Sequence, residues 1–306
     1  MITVYGDVIL PKNVILAGVT GRQTRQNDRS VNPAGYATVN AVRDVTLREY
    51  VIGIKSMKIG YWNQIEAIWE ITDSGAFGFL IEDPKGTTIQ GGALQGYMSG
   101  VESGVLGFGN GTPLYGIRQV FTTSGSTRKG VRDVTWLKGT PVVSRGGTPV
   151  AAGVSPGNIS ISAGPSYVTF VPDATRTVSS VTVGATTQVT LSSAISGLVI
   201  TTGKLWLQGL TGADATLLNN QSHTITNIAG AVYTLATNTA GKTITAGAGQ
   251  GHKYPQPDEA LTVTGDYYVP VQFSEDSIDW TLTRPGHEDD RLFSGPSIPL
   301  VEVRQA

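Results

Sequence analysis

The sequence predicts a mainly β protein of the α+β class: an antiparallel β-barrel or sandwich domain with one main helix and an inserted small all-β module. Three observations carry that expectation. Short stretches of period-two alternation, separated by glycine-rich turns, recur over most of the chain. A single stretch, near residues 60–73, spaces its apolar residues as a helix does. Between Val178 and Gly251 the only charged residues are Lys204, Asp214 and Lys242, and proline is absent, which marks a segment of different character from its flanks.

In chain order, Ala37-Thr38-Val39-Asn40-Ala41-Val42 and the run from Asp44 to Ile52 read as strands. The helix follows from about Gly60 to Asp73, because Ile65, Ile68, Trp69 and Thr72 recur at three-to-four spacing and Gly75 sits where a C-terminal cap belongs. Tyr61, Trp62 and Trp69 are read as packing aromatics on that helix. Phe77-Gly78-Phe79-Leu80-Ile81 is the next strand, stopped by Asp83-Pro84-Lys85-Gly86. From Gly91 to Gly164, turn signals at Gly109-Asn110-Gly111, Ser124-Gly125, Gly146-Gly147 and Pro156-Gly157-Asn158 predict a β-meander.

The charge-poor segment alternates at Val181-Thr182-Val183, Gln188 to Leu191, Lys204 to Leu207, His223 to Ile228 and Tyr233-Thr234-Leu235, with glycines between. Five or six short strands in a small barrel or sandwich are expected, against the competing reading of a disordered Ser/Thr tract. The final stretch, Leu261 to Phe273 and then Ile278 to Thr283, resumes the charged and aromatic character of the first half. Residues 1–172 and 255–306 are therefore expected to form one discontinuous domain and 173–254 an insert, with linkers at Pro172-Asp173 and Tyr254-Pro255-Gln256-Pro257.

The 306 residues carry 22 Lys+Arg against 23 Asp+Glu, a net charge of -1, so no global attraction draws the chain to nucleic acid or an anionic membrane. With no cysteine, disulfides, thiol nucleophiles and thiolate metal sites are excluded. The opening residues lack a basic stretch followed by an apolar one, and no apolar run approaches the ~20 residues that span a bilayer, so a soluble, unprocessed chain without membrane insertion is expected.

Catalytic motifs fail one by one. Asn238-Thr239-Ala240-Gly241-Lys242-Thr243 ends like a phosphate-binding loop, but Ala236 stands where its first glycine belongs and strands flank it. Gly247-Ala248-Gly249-Gln250-Gly251 runs into His252-Lys253-Tyr254-Pro255, which cannot open a phosphate-holding helix. His223, His252 and His287 show no paired spacing. Glu275-Asp276 with Asp279, and Glu288-Asp289-Asp290, could offer oxygen ligands to a hard cation but follow no calcium-loop pattern, and solvated loop or subunit contact is the simpler reading. No catalytic, cofactor or metal residues are expected.

The two ends of the chain differ in sign. Residues 1–60 hold eight basic and four acidic groups, net +4, and residues 262–306 hold three basic and eight acidic ones, net -5. The Arg22-Gln23-Thr24-Arg25-Gln26-Asn27-Asp28-Arg29 stretch lacks the interleaved aromatics of a nucleic-acid arm, so sequence-specific nucleic-acid binding is not expected. Pairing of Arg22, Arg25 and Arg29 with Asp276, Asp279, Glu288, Asp289 and Asp290, within or between subunits, is the economical use of both ends.

Gly295-Pro296-Ser297-Ile298-Pro299-Leu300-Val301-Glu302-Val303-Arg304 resembles the closing motif of the distal tail proteins of tailed phages and gene-transfer agents. Tyr267-Tyr268-Val269-Pro270-Val271-Gln272-Phe273 is similar to that family's preceding strand. Gly75 to Asp83, Gly109-Asn110-Gly111-Thr112 and Lys138-Gly139-Thr140-Pro141-Val142 resemble further segments, so the likeness covers about 55–172 and 262–306. The family's Gly-Gly-Pro-rich opening and Glu-Gln-Arg-Asn sequence correspond at best to the diverged Arg22 to Asn27. Val181 to Gly251 resembles the small β-module related to the first catalytic-cysteine half-domain of ubiquitin-activating enzyme. Without a cysteine that likeness implies fold alone.

The resemblance implies a structural virion protein: a six-copy ring at the distal end of a phage tail, joining tail tube protein to the tip or baseplate hub protein. It would assemble in the host cytoplasm and need no cofactor. The alternative is a tail-tip carbohydrate- or receptor-binding protein, in which Trp206 or Tyr233 stacks on a sugar. A tail-tip glycosidase or peptidase would need convergent carboxylates or a metal site, which no spacing supplies.

Overall fold

The computed structural model describes residues 2–304 apart from 17, 32, 42–45, 99, 163, 288, 289, 295 and 296. It is mostly β, with antiparallel sheets, one main helix and a small closed barrel. Two compact units divide the chain: residues 1–88, 136–138 and 266–306 form the first, and 89–135 with 139–265 the second.

The first unit is built on a sheet whose order is Val4–Ile9, Gly78–Ile81, the second half of Leu261–Phe273, Ile298–Glu302, Leu47–Ile52 and Val19–Thr24. Only the Val4–Ile9 pairing is parallel. The helix spans Ile59–Ile71 and buries Trp62, Ile65, Ile68 and Trp69, the stripe its apolar spacing predicts. Trp69 meets the Phe273 ring edge-on with centroids 4.9 Å apart, and Phe273 in turn packs on Phe79 at 4.9 Å. The helix stops two residues before the expected Asp73. Asp73, Ser74 and Gly75 all take positive φ, and a Cβ on Gly75 would stand 2.8 Å from the Phe273 carbonyl oxygen, so glycine is required there by both conformation and space. The expected strand from Asp44 begins at Leu47, and positions 42–45 lie outside the described residues.

In the second unit the short strands expected are present, but not as a simple meander, because Leu114–Phe121 takes the much later Tyr167–Phe170 as a neighbour. Ala93–Met98 pairs with Leu114–Phe121, which also pairs with Gly130–Asp133 and Tyr167–Phe170, and the last pairs with Ile159–Ile161. The charge-poor segment closes into a six-stranded barrel in the order Ala174–Thr182, Thr187–Leu191, Val232–Leu235, Gln221–Ala229, Lys204–Gln208 and Gln250–Lys253. Val189, Leu191, Leu205, Leu207, Ile225, Tyr233 and Leu235 fill it. Closure explains how so uncharged a segment avoids edge-to-edge association, because a closed barrel leaves no unpaired strand edge.

The stretches expected as linkers, Pro172-Asp173 and Tyr254 to Pro257, are held by packing and hydrogen bonds. Tyr254, Pro255 and Gln256 are buried. Gln256 accepts from the Lys204 N–H at 2.7 Å and donates to the Lys204 and Tyr254 carbonyls at 3.2 and 2.7 Å, so its amide is satisfied on both ends. The Gly111 N–H donates to Pro255 O, and Ser222 Oγ to Asn110 O, joining the barrel to the turn that precedes Thr112. Arg145 ties the whole joint. Its Nη1 and Nη2 donate to Asp173 at 2.7 Å each, while Nε and Nη2 donate to Glu259 at 2.8 Å each, a double bidentate fork across the start and end of the insert. The barrel is thus packed into the second unit rather than hung from it.

Arg145→Ala would leave Asp173 and Glu259 facing each other without their cation. It is expected to lower stability by about 2–4 kcal/mol, slightly under the loss for a fully buried pair because these side chains are part-exposed. Protease cleavage near 172–173 and 257–258 should accelerate together with the fall in melting temperature. A variant that melts and resists protease like the parent would show that the fork does not hold the joint.

Candidate functional site

A β-ribbon stands out from the first unit. Asn27–Val31 and Ala37–Ala41 pair antiparallel around a turn at Pro33, Ala34 and Gly35, and among the described residues they pair with nothing else. Register decides what each face carries. Arg29 lies opposite Val39 and Val31 opposite Ala37, so these four share one face, whereas Asp28 with Asn40 and Ser30 with Thr38 make the other. Val31 is 67% exposed and Val39 51%, and Tyr36 at the turn is 75% exposed. An amphipathic two-stranded ribbon with its apolar face in water is marginal by itself.

In chain order the ribbon lies between Val19–Thr24 and Leu47–Ile52, which pair with each other. Arg22 stands opposite Glu49, with Nε 3.8 Å from Oε2, and Thr24 Oγ1 donates to Glu49 Oε1 at 2.9 Å. Arg25 sits exposed between the Val19–Thr24 and Asn27–Val31 strands. The three arginines chosen from the sequence therefore lie along one extended arm, and Arg22 already has a partner within its own chain.

Of the acidic candidates, Asp276, Asp279 and Asp290 are exposed, and Glu288 and Asp289 lie outside the described residues. Ser274 to Trp280 belongs to no helix or strand. The exposed Thr281–Arg284 strand follows, paired on one side with Leu292–Ser294, which pairs with Met57–Lys58. Stacking links this small sheet to the helix: Trp62 is buried, Phe293 lies 6.4 Å from it, and Trp280, 58% exposed, meets Phe293 edge-on at 5.6 Å. The stretch thus sets an exposed tryptophan beside exposed carboxylates.

A buried cluster that the motif search did not find fixes the base of the arm. Arg48, 6% exposed, contacts Asp83 Oδ2 through Nη1 at 2.6 Å and donates from Nη2 to Tyr267 Oη at 3.0 Å, and its backbone N–H donates to Glu302 Oε2 at 2.8 Å. Burial by itself would lower the guanidinium pKa, but Tyr50, Tyr267 and Asp83 outweigh it and hold the group above its ordinary value. Burial also pushes the neighbouring Tyr50 phenol far up, keeping it neutral. The available signal was an arginine at an inward position of the alternating Leu47 to Ile52 strand; its partners lie 35 or more positions away in sequence.

Trp206 and Tyr233 do not offer sugar-stacking faces. Tyr233 is fully buried in the barrel core, where its Oη accepts from Ile195 N–H at 2.7 Å. Trp206 points to the opposite face of its strand from Leu205 and Leu207, yet only 7% of it is exposed because Tyr254 covers it edge-on at 6.0 Å. Two histidines are wall components of the barrel. His223 bonds Thr237 Oγ1 and Leu218 O at 2.8 and 2.9 Å, and His252 Nδ1 bonds Thr175 Oγ1 at 2.8 Å. His287 is exposed. Among the described residues no three His, Asp or Glu side chains gather as a metal-binding group. No helix is long and apolar enough to cross a membrane among the described residues.

No protein-family model matches this chain, and no curated protein matches it.

Burial lowers the pKa of both His223 and His252 below the ordinary 6.5. The unfolded chain then takes up protons at a higher pH than the folded one, so the stability these neutral rings contribute is present above pH 6.5 and is lost as pH falls below it. Thermal melts should show the parent losing up to about 1.4 kcal/mol per histidine per pH unit in that window. A His223→Gln, His252→Gln chain should show a flatter slope between pH 7 and 5. Identical slopes would exclude the two rings as the source.

Proposed function

We propose that this chain is a structural subunit of a phage tail, forming a ring of six copies at the distal end that joins the tail tube to the tip or baseplate hub. The reading rests on the sequence resemblance together with one structural observation: a β-arm whose Val31 and Val39 stay exposed on one face among the described residues. A cyclic ring needs two different complementary surfaces on each copy. The arm with Arg25 and Arg29 supplies a basic, apolar surface, and the stretch around Asp276, Asp279 and Trp280 an acidic, aromatic one. Fully burying a valine contributes about 1.5–3 kcal/mol, whereas an exposed ion pair contributes about 0–1 kcal/mol, so the apolar face supplies affinity and the charges select orientation. Assembly of this kind would take place in the host cytoplasm before incorporation into the virion. The sugar-binding alternative loses both of its stacking residues, Trp206 and Tyr233, to burial.

Native mass measurement is the test. The full chain should run at six times its 32.1 kDa mass. Replacing residues 27–41 with a short Gly/Ser turn should give folded monomers with an otherwise similar melting temperature. Rings that persist without the arm, or a monomeric parent at high concentration, would refute this reading.

A further inference from the structure

The Val19–Thr24 strand pairs with Leu47–Ile52 on one side and, among the described residues, with nothing on the other. Beside this open edge is a cleft of about 230 Å³. Gly21 and Tyr50, opposite each other in the ladder, line it together with the buried Arg48 and Asp83 and the exposed Arg22 and Lys85. The volume falls short of the roughly 300–1,000 Å³ of small-molecule and cofactor sites but admits a side chain. Its charge is one-sided. Asp83 is occupied by Arg48 and by the Lys85 N–H at 3.0 Å, and Lys85 makes no ion pair among the described residues; Arg22, whose side chain leaves the other face of the strand beside Glu49 with only a 3.8 Å contact, adds positive charge at the rim. Such a cleft is suited to a carboxylate.

We propose that this open edge and its basic cleft receive the acidic Glu275–Trp280 stretch of a second copy as an added strand. The stretch is exposed apart from the half-buried Ile278, belongs to no sheet in its own chain, and its Asp276 and Asp279 make no ion pair among the described residues. Extended, it presents Glu275, Ser277 and Asp279 on one face and Asp276, Ile278 and Trp280 on the other. The first face delivers a carboxylate to the cleft on the Gly21 side of the strand, while Asp276 meets Arg22 on the opposite side. Main-chain pairing gives affinity in this mode and the cleft gives register. Gly21 makes room for the guest: a Cβ there would touch Tyr50 only at an ordinary 3.6 Å, so the cleft can be filled without disturbing the sheet. The inference deepens the ring reading and rests on it, since an edge on one copy that takes a different segment of the next is a head-to-tail contact.

The absence of cysteine makes the test direct. Gln23→Cys combined with Asp279→Cys, or Arg22→Cys combined with Asp276→Cys, oxidised in the full chain, should give a ladder of disulfide-linked multimers that collapses on reduction, while each single-cysteine chain stays unlinked. Gly21→Val should raise the concentration at which rings dissociate at least tenfold with no fall in melting temperature. Rings by native mass that neither cross-link at these pairs nor respond to Gly21→Val would overturn the cleft assignment and leave the ring reading standing. A monomeric parent would overturn both.

Discussion

A buried guanidinium holds the base of the arm. Arg48 reaches Asp83 after the Gly78–Ile81 strand, Tyr267 on Leu261–Phe273 and, through its backbone, Glu302 on Ile298–Glu302, so one residue joins four strands of the first unit. Burying two ions costs several kcal/mol each, and only a well-formed set of hydrogen bonds offsets that. The consequence is positional. Arg48 lies on Leu47–Ile52, and the strand paired with it carries Arg22, so the register of the edge strand is backed by a contact inside the unit. Loss of Arg48 would leave Asp83 buried without its cation, and the edge strand and cleft would lose their floor together.

From that base outward, the two units treat unpaired strand edges differently. The barrel removes its edges by closing, and its outer wall at Trp206 is covered by the joint that Arg145 and Gln256 organise. The first unit instead leaves an open edge at Val19–Thr24, an exposed two-stranded ribbon and an exposed Thr281–Arg284 strand. Exposed edges invite association, and here they differ in the sign that predominates: Arg22, Arg25 and Arg29 outnumber Asp28 along the arm, and Glu275, Asp276 and Asp279 precede Trp280. Like ends repel and unlike ends attract, which favours head-to-tail contacts over face-to-face ones. In the proposed ring, the contacts would therefore be concentrated in one unit.

Local patterns in the sequence were read well where a single element decides the outcome. The helix follows from the spacing of Ile65, Ile68 and Trp69, and the barrel strands from alternation such as Lys204-Leu205-Trp206-Leu207. Gln250–Lys253 was hidden because Gly249 and Gly251 look like loop residues, whereas Gly251 lies in the strand facing Leu191 and Leu205, leaving no space for a side chain. Contacts between distant positions were not legible. Alternation places Trp206 on the outer face of its strand but cannot say that Tyr254 returns to cover it. Arg145 lies 28 residues from Asp173 and 114 from Glu259, so the fork that turns expected linkers into a packed joint has no local signature. The charge asymmetry between the chain ends was visible from counting. The apolar face of the arm was not, because it depends on the register that sets Arg29 opposite Val39.

Hydrogen–deuterium exchange on the arm tests the central claim most directly. In concentrated, assembled protein, the amides of Asn27–Val31 and Ala37–Ala41 should be protected at least tenfold relative to the same amides in dilute monomer, with the barrel amides unchanged between the two. Arm amides that exchange at the same fast rate in both samples would contradict the account, because an amphipathic ribbon left uncovered in the assembly would be no part of what holds it together.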